Sequence, residues 1–234
     1  MAKSSSQIST PVSREQVENE ERGGFFLGNR RLLGIIGIGL LLLIGGIVYF
    51  AYLRGASNDR AQIELARIRP YYDRGEYAVA ISGDSSKKMG NEPIRGLRVI
   101  ADEYESTPSG KMAALFLGNS YLATGQPDKA VGPYEIAAGG DDPLLRSAAH
   151  AGLAGVAEAK GRFKEAADEY AKAATEDRLD LNTPQYLIGA ARNYESAHDK
   201  EKAIENYRRV ATQYANTQAN TQARLALARY NVEL

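Results

Sequence analysis

The sequence predicts an all-α protein in which a single N-terminal transmembrane helix is followed by an α-solenoid of helical hairpins. Two observations predict this architecture. Residues 32–53 form an uncharged apolar run, and a set of small and aromatic residues recurs every 36 or 37 residues further along the chain. An apolar run of this length is sufficient to cross a bilayer, and a recurrence of this length is typical of stacked supersecondary units.

Residues 1–31 begin as a serine-rich polar stretch and then become acidic. A segment with so few apolar residues has little surface to bury, so we predict a disordered polar tail over 1–31. Across the chain 29 acidic and 29 basic residues balance, which gives no reason to expect nucleic acid as a partner. The absence of cysteine excludes disulfides, thiolate zinc sites and cysteine nucleophiles.

The apolar run at 32–53 is predicted to be the membrane span. At about 1.5 Å per helical residue it covers a hydrocarbon core of about 30 Å. It is too long for a cleaved signal peptide and follows a polar tail, so we predict an uncleaved signal anchor. Arg30 and Arg31 precede it, whereas Arg54 stands alone directly after it, which favours a cytoplasmic tail. Further arginines beyond Arg54 weaken that bias, so the inverted orientation stays open.

Residues 54–108 are predicted to form a neck helix and an irregular first hairpin. Helical spacing runs from Asp59 to Tyr72, and Pro70 should kink or end that helix. Residues 75–84 resemble half of a repeat, residues 82–93 are predicted to be a loop, and a helix is expected to restart at Ile94.

Residues 109–217 contain the recurrence. The first set is Gly118, Tyr121, Gly125, Ala130, Tyr134 and Ala137; the second is Ala154, Ala157, Gly161, Ala166, Tyr170 and Ala173; the third is Ala191, Tyr194, His198, Ala203, Tyr207 and Val210. Small residues let two helices approach closely, and we expect the tyrosines to fill the space between neighbouring hairpins. The last segment, 218–234, is predicted to be a capping helix.

This pattern resembles the tetratricopeptide repeat, whose usual length is about 34 residues. The three repeats are slightly longer, His198 replaces the turn glycine of the third, and Ala157 replaces an aromatic residue of the second. Insertions in the loops between hairpins are tolerated at little cost, so these departures leave the predicted fold unchanged.

The resemblance implies a concave partner-binding face built by the first helix of each hairpin. Its candidate residues are Met112, Leu115, Asn119 and Leu122, then Ala148, Ala151, Gly155 and Glu158, then Gln185, Ile188, Arg192 and Glu195. Leu115 stands where carboxylate-clamping repeats have a lysine, so we expect an extended or helical peptide along a partly apolar groove. Alternatively, some of these side chains pack against the next hairpin.

The sequence offers no catalytic constellation. His150 and His198 fall on different repeats, and Glu165, Asp168 and Glu169 are typical of a solvated helix face. No nucleophile elbow, paired-histidine helix, calcium loop or phosphate-binding loop is present. We therefore predict a protein that is not an enzyme and that requires neither a cofactor nor a metal.

The whole layout resembles the YfgM-like family of single-span, periplasm-facing repeat proteins, in the style of Bacteroidota and Chlorobi members. The segments that carry the resemblance are YYDRGEYAVAISGD (71–84), FLGNSYLATGQPDKAV (116–131) and TPQYLIGAARNYESAHDKEKAIENY (183–207). The resemblance implies a bacterial inner-membrane protein with a periplasmic repeat domain. It also implies the Sec translocon (SecYEG), a membrane-anchored chaperone of the PpiD type and exported clients as partners.

Two other classes of scaffold remain open. One is a scaffold for envelope assembly or cell division, similar to the YbgF/CpoB-type repeat proteins, although those usually carry a cleaved signal and a coiled coil. The other is a scaffold subunit of a different membrane complex that faces the cytoplasm.

Overall fold

A computed structural model describes residues 30–89 and 92–233 of the chain. Within these residues it contains ten helices and two strands. They are α1 (Arg30–Asp73), α2 (Tyr77–Ser82), β1 (Gly83–Met89), β2 (Glu92–Arg95), α3 (Leu97–Glu103), α4 (Pro108–Ala123), α5 (Pro127–Ala138), α6 (Pro143–Ala159), α7 (Phe163–Glu176), α8 (Thr183–Ser196), α9 (Lys200–Gln213) and α10 (Gln218–Arg229). The chain is mostly helical and of the all-α class.

The chain divides into two compact units, Met1–Leu53 and Arg54–Leu234. The first unit contains the N-terminal part of α1, whose apolar side chains are exposed from Ile35 to Tyr52. Within the described residues, α1 is the one helix long and apolar enough to cross a membrane. The tail predicted over 1–31 lies almost wholly outside the described residues, which begin at Arg30.

The helix of the neck continues past Pro70 and ends at Asp73, so it does not end at this proline, which was one of the two outcomes predicted there. A proline inside a helix removes the N–H that would bond the carbonyl four residues earlier. That residue, Ala66, is exposed, so water can satisfy its carbonyl oxygen. Pro70 lies in the last turn of the helix, and only three residues follow it.

A β-hairpin replaces the loop predicted over 82–93, so the all-α prediction has one local exception. Strands β1 and β2 pair antiparallel, with Gly83 opposite Arg95 and Asp84 opposite Ile94. The next helix begins at Leu97 and not at Ile94. Close backbone contact explains the pairing: a Cβ atom at Gly83 would lie 2.5 Å from the Ile94 carbonyl oxygen, and one at Gly96 would meet that of Ile81. Glycine at both positions lets the two chain segments approach.

In the second unit, each helix from α3 to α10 packs against the next one along the chain, and α4 also packs against α6 and α8 against α10. Side-chain caps begin several of these helices. Thr107 accepts from the Gly110 N–H, Asp142 from Leu144, and Thr217 from Asn220. The Asp142–Pro143 pair therefore opens α6 as a cap followed by a proline in the first turn.

Tyrosine rings occupy the crossings between these helices, as the recurrence predicts. A Cβ atom at Gly118 of α4 would lie 2.7 Å from the Tyr134 ring, and one at Gly152 of α6 would meet the same ring. One recurrence further along the chain, a Cβ atom at Gly189 of α8 would lie 3.1 Å from the ring of Tyr170. The small residues make room for these aromatic rings: the Tyr134 ring is buried in the core, and the Tyr170 ring is partly buried against it.

The turns after α4, α6 and α8 share one backbone conformation. Gly125 and Gly161 adopt φ of +70° and +68°, and His198 adopts φ of +63° at the corresponding turn. The left-handed region is natural for glycine and costs a histidine about 1 kcal/mol. The third turn therefore keeps the geometry of the other two despite an unfavourable residue.

Candidate functional site

The predicted partner-binding residues lie on α4, α6 and α8, the helices predicted to come first in the three repeats. Asn119 of α4 bonds inside the protein. Its Nδ2 donates to the hydroxyl of Tyr72 at 3.0 Å, and its Oδ1 accepts from the hydroxyl of Tyr134 at 2.8 Å. Asn119 thus connects α1, which carries Tyr72, to α5, which carries Tyr134.

Glu158, near the end of α6, has an equivalent pair of bonds. Its Oε2 accepts from the Tyr170 hydroxyl at 3.2 Å, and its Oε1 accepts from Asn193 Nδ2 of α8 at 2.5 Å. The carboxylate of Glu158 therefore joins α7, which carries Tyr170, to α8, which carries Asn193. Glu158 nevertheless remains exposed, so the outer face of its side chain contacts solvent.

Glu195, near the end of α8, completes the series. Its Oε2 accepts from the Tyr207 hydroxyl at 2.8 Å, and its Oε1 accepts from the Tyr230 hydroxyl at 2.6 Å. Arg229 approaches the same carboxylate at 3.6 Å. On each of α4, α6 and α8 a polar side chain thus accepts from the hydroxyl of a tyrosine on the helix that follows, and we call these three pairs the tyrosine ladder.

The pKa values of the three ladder tyrosines are raised above the ordinary tyrosine value, which favours the neutral hydroxyl. Burial, together with the negative charge of Glu158, raises the pKa of Tyr170 to about 12. Burial also raises the pKa of Tyr134, and burial with the hydrogen bond to Glu195 raises that of Tyr207. A protonated hydroxyl is the donor that each acceptor requires, so the ladder is intact at neutral pH.

Two of the predicted apolar contacts are buried. Leu115 is 8 % exposed and packs with Tyr134 and Leu145, and Ile188 is 3 % exposed and packs with the core of the last helices. At these positions the side chains support the surface from below. Leu115 and Ile188 therefore pack inside the protein, as the alternative to partner binding proposed for some of these side chains.

The other predicted residues form the accessible part of the row. Gln185 and Arg192 are exposed, and Met112 and Leu122 are partly exposed. A Cβ atom at Gly155 would lie 3.1 Å from Leu122 Cδ2, so α4 and α6 meet closely here. The partly exposed small residues of α6 lie between these two groups: Ala148, Ala151 and Gly155. The row runs from apolar and small on α4 and α6 to polar and charged on α8.

The structure also has cavities that the sequence did not predict. One cavity, of about 650 Å³, lies outside the row. Another, of about 560 Å³, opens between α3, α4 and α5. Apolar side chains of Val99, Leu117 and Ile136 line it, and Lys129 lies at its rim. The sequence predicted that α3 begins at Ile94, whereas it begins at Leu97, so the alignment of α3 against α5 could not be predicted from the sequence.

His150, Asp168 and Glu169, all noted in the sequence, take part in local side-chain pairs. His150 Nδ1 lies 2.7 Å from Glu169 Oε2, and Asp168 accepts from the Tyr194 hydroxyl at 2.7 Å and from Lys164 at 3.0 Å. Over residues 30–89 and 92–233, no group of three or more histidine or carboxylate side chains is placed to hold a metal ion. These contacts connect α7 to α6 and α8.

The described part of the chain is thus mostly helical, contains one apolar helix long enough to cross a membrane, and has a row of exposed and partly exposed residues on α4, α6 and α8. Comparison with protein-family models, curated proteins and solved structures finds no match to this chain.

Proposed function

We propose that the protein is a membrane-anchored interaction scaffold, a solenoid of tetratricopeptide-like repeats that binds protein partners along the row on α4, α6 and α8. The observation that carries the proposal is the tyrosine ladder. The same bond between a first-helix acceptor and a second-helix tyrosine occurs in three successive hairpins. Repetition of one unit is the construction principle of solenoids, whose extended surfaces suit peptides and protein segments.

The character of the row favours a peptide ligand over a small molecule. The ladder engages Asn119, Glu158 and Glu195 within the protein and so holds the first helices in register. Gln185 and Arg192 remain exposed to contact a partner. A partly apolar surface with a few exposed polar groups is suited to an extended or helical segment.

The proposed setting is the bacterial inner membrane, with the tail in the cytoplasm and the repeats in the periplasm. The apolar run at 32–53 and the paired arginines that precede it support this orientation. On the resemblance to YfgM-like proteins, we propose an ancillary role at the Sec translocon, with a PpiD-type chaperone and exported proteins as partners. A scaffold in envelope assembly, in cell division or in another membrane complex is the alternative.

Orientation can be tested without background because the chain contains no cysteine. Gln185→Cys is placed in the full chain and treated, in intact cells with a permeabilised outer membrane, with a maleimide that does not cross the inner membrane. Labelling before lysis is expected for a periplasmic row. Labelling only after the inner membrane is broken would favour the cytoplasmic scaffold.

Partner identity is tested by photo-crosslinking in intact membranes, with the probe at Gln185 or Arg192. A probe at Arg208, which is exposed on α9 outside the row, is the matched control. Crosslinks to translocon subunits, the chaperone or exported chains are expected from 185 and 192 and not from 208. Crosslinks confined to another complex would replace the translocon role, and equal products from all three positions would remove the row as the working surface.

A further inference from the structure

The loop between α7 and α8 presents two leucines to solvent. Leu179 is 64 % exposed and Leu181 is 65 % exposed. Single exposed apolar residues are ordinary, but this loop leaves two leucines exposed within three residues, so their apolar surface is available for burial against another surface.

The loop has a defined structure that holds the leucines in this position. Asp177 Oδ2 accepts from the Asn182 N–H at 2.5 Å and from the Thr183 hydroxyl at 3.1 Å. Between the leucines, Asp180 adopts φ of +53° and accepts from the Tyr214 hydroxyl at 3.0 Å. Anchoring at both its base and its tip directs the leucines away from the core, so their exposure does not result from a loose chain.

The loop belongs to one edge of the second unit, formed by the loops that precede α4, α6, α8 and α10. Arg146 of α6 connects the loop before α6 to the C-terminal end of α7, because its guanidinium donates to the Gly140 and Asp141 carbonyls and pairs with Glu176, the last residue of α7, at 2.7 Å. Tyr214, from the loop before α10, reaches Asp180. These contacts place consecutive loops side by side along the edge.

Arg54 lies on the same edge. Its guanidinium donates to the Ser106 carbonyl at 2.9 Å, in the loop before α4, and it shares a cavity with Lys111 and Gly140. In the sequence Arg54 directly follows Leu53, the last residue of the apolar run. Arg54 therefore lies on this edge and is also the first residue after that run in the chain.

We propose that this edge lies on the bilayer surface and that Leu179 and Leu181 insert into its interfacial region, giving the domain a second, reversible contact with lipid. This inference rests on the membrane anchoring proposed above. Leucines with an adjacent arginine and tyrosine suit an interface in which apolar groups enter the boundary and polar groups stay hydrated. The exposed Arg178 adjoins the leucines, and the carboxylate of Asp180 is occupied by Tyr214.

The test uses the full chain reconstituted in liposomes of phosphatidylethanolamine and phosphatidylglycerol. Arg178→Cys carries an environment-sensitive fluorophore, and nitroxide lipids serve as quenchers. Ser196→Cys is the matched control: Ser196 is exposed and ends α8, the helix that begins directly after the loop, so the helix length of about 20 Å separates it from the edge. We expect blue-shifted, quenched emission at 178 and solvent-like emission at 196.

A second variant isolates the leucines. Leu179→Ser with Leu181→Ser should abolish the blue shift and the quenching at 178 and leave the circular dichroism spectrum unchanged, because both side chains are exposed. Solvent-like emission at 178 in the parent, or emission that the serine variant does not alter, would overturn the proposal. Shielding that occurs in native membranes and not in liposomes would assign the leucines to a protein partner and equally overturn it.

A probe at Tyr52 separates this inference from the anchor itself. Quenching at 52 without quenching at 178 would refute the leucine contact and leave the anchor in place. Absence of quenching at 52 would refute the anchoring on which both proposals rest.

Discussion

Replacement of Gly152 by alanine tests whether the tyrosine crossings hold the helices together. The added Cβ atom would meet the Tyr134 ring at Cε1 and Cζ, closer than van der Waals contact allows. Overpacking of this kind costs about 1–3 kcal/mol. The matched control is Gly55→Ala, also within a helix, where an added Cβ atom meets nothing within 4 Å. Both variants gain the same helix propensity of about 1 kcal/mol, so their difference isolates the crossing.

Urea unfolding of the full chain in detergent micelles, followed by circular dichroism, measures the two free energies of unfolding. We expect Gly152→Ala to be about 1–3 kcal/mol less stable than Gly55→Ala, which corresponds to about 2–12 °C in Tm for a domain of this size. The difference should shrink in a Tyr134→Leu background, because the clashing ring is then absent. Equal stability of the two alanine variants would refute the close approach of α6 to this tyrosine.

Three further predictions concern single sites. His198→Gly should raise the free energy of unfolding by about 0.5–1 kcal/mol, because glycine adopts the left-handed φ without strain; a decrease in the urea midpoint would contradict this. Glu195→Ala should cost about 1–3 kcal/mol by removing the acceptor of two tyrosine hydroxyls, whereas the exposed Glu205→Ala should change stability by less than about 0.5 kcal/mol; similar urea midpoints for the two would show that these bonds contribute little. The raised pKa of Tyr170 stabilises the fold fully below pH about 10, the ordinary tyrosine value, and this contribution is lost as pH rises towards about 12. Tyr170→Phe should therefore lose phenolate absorbance only as pH approaches about 12, and a loss of absorbance near pH 10, the ordinary tyrosine value, would refute the shift.

Much of the candidate surface could be read from the sequence, because the spacing of small and aromatic residues reports helix crossings directly. The recurrence located Tyr134 and Tyr170 between helices, where the structure has them. It did not distinguish Leu115 and Ile188, which are buried, from Gln185 and Arg192, which are exposed. Those pairs occupy the same helix face, and their burial depends on how far the neighbouring helix covers each one.

The tyrosine ladder was not predicted from the sequence. Each of its bonds joins groups that lie on different helices, such as Asn119 and Tyr72, and a bond of this kind depends on the relative positions of the two helices. An exposed carboxylate such as Glu158 looks the same in the sequence whether it meets solvent or a tyrosine hydroxyl. Only the packed arrangement distinguishes the two.

The sequence by itself determined the properties that depend on local spacing. The uncharged run at 32–53, the helical recurrence and the turn conformation at Gly125 and Gly161 all follow from neighbouring residues and their chemistry. Tertiary structure decided what depends on contacts between distant segments: the hairpin of β1 and β2, made by the close approach of Gly83 and Gly96 to facing backbone, and the single edge that brings Arg54 and the exposed leucine loop into one row of loops. Such contacts arise only when helices pack, because no local pattern specifies which distant backbone a residue will meet.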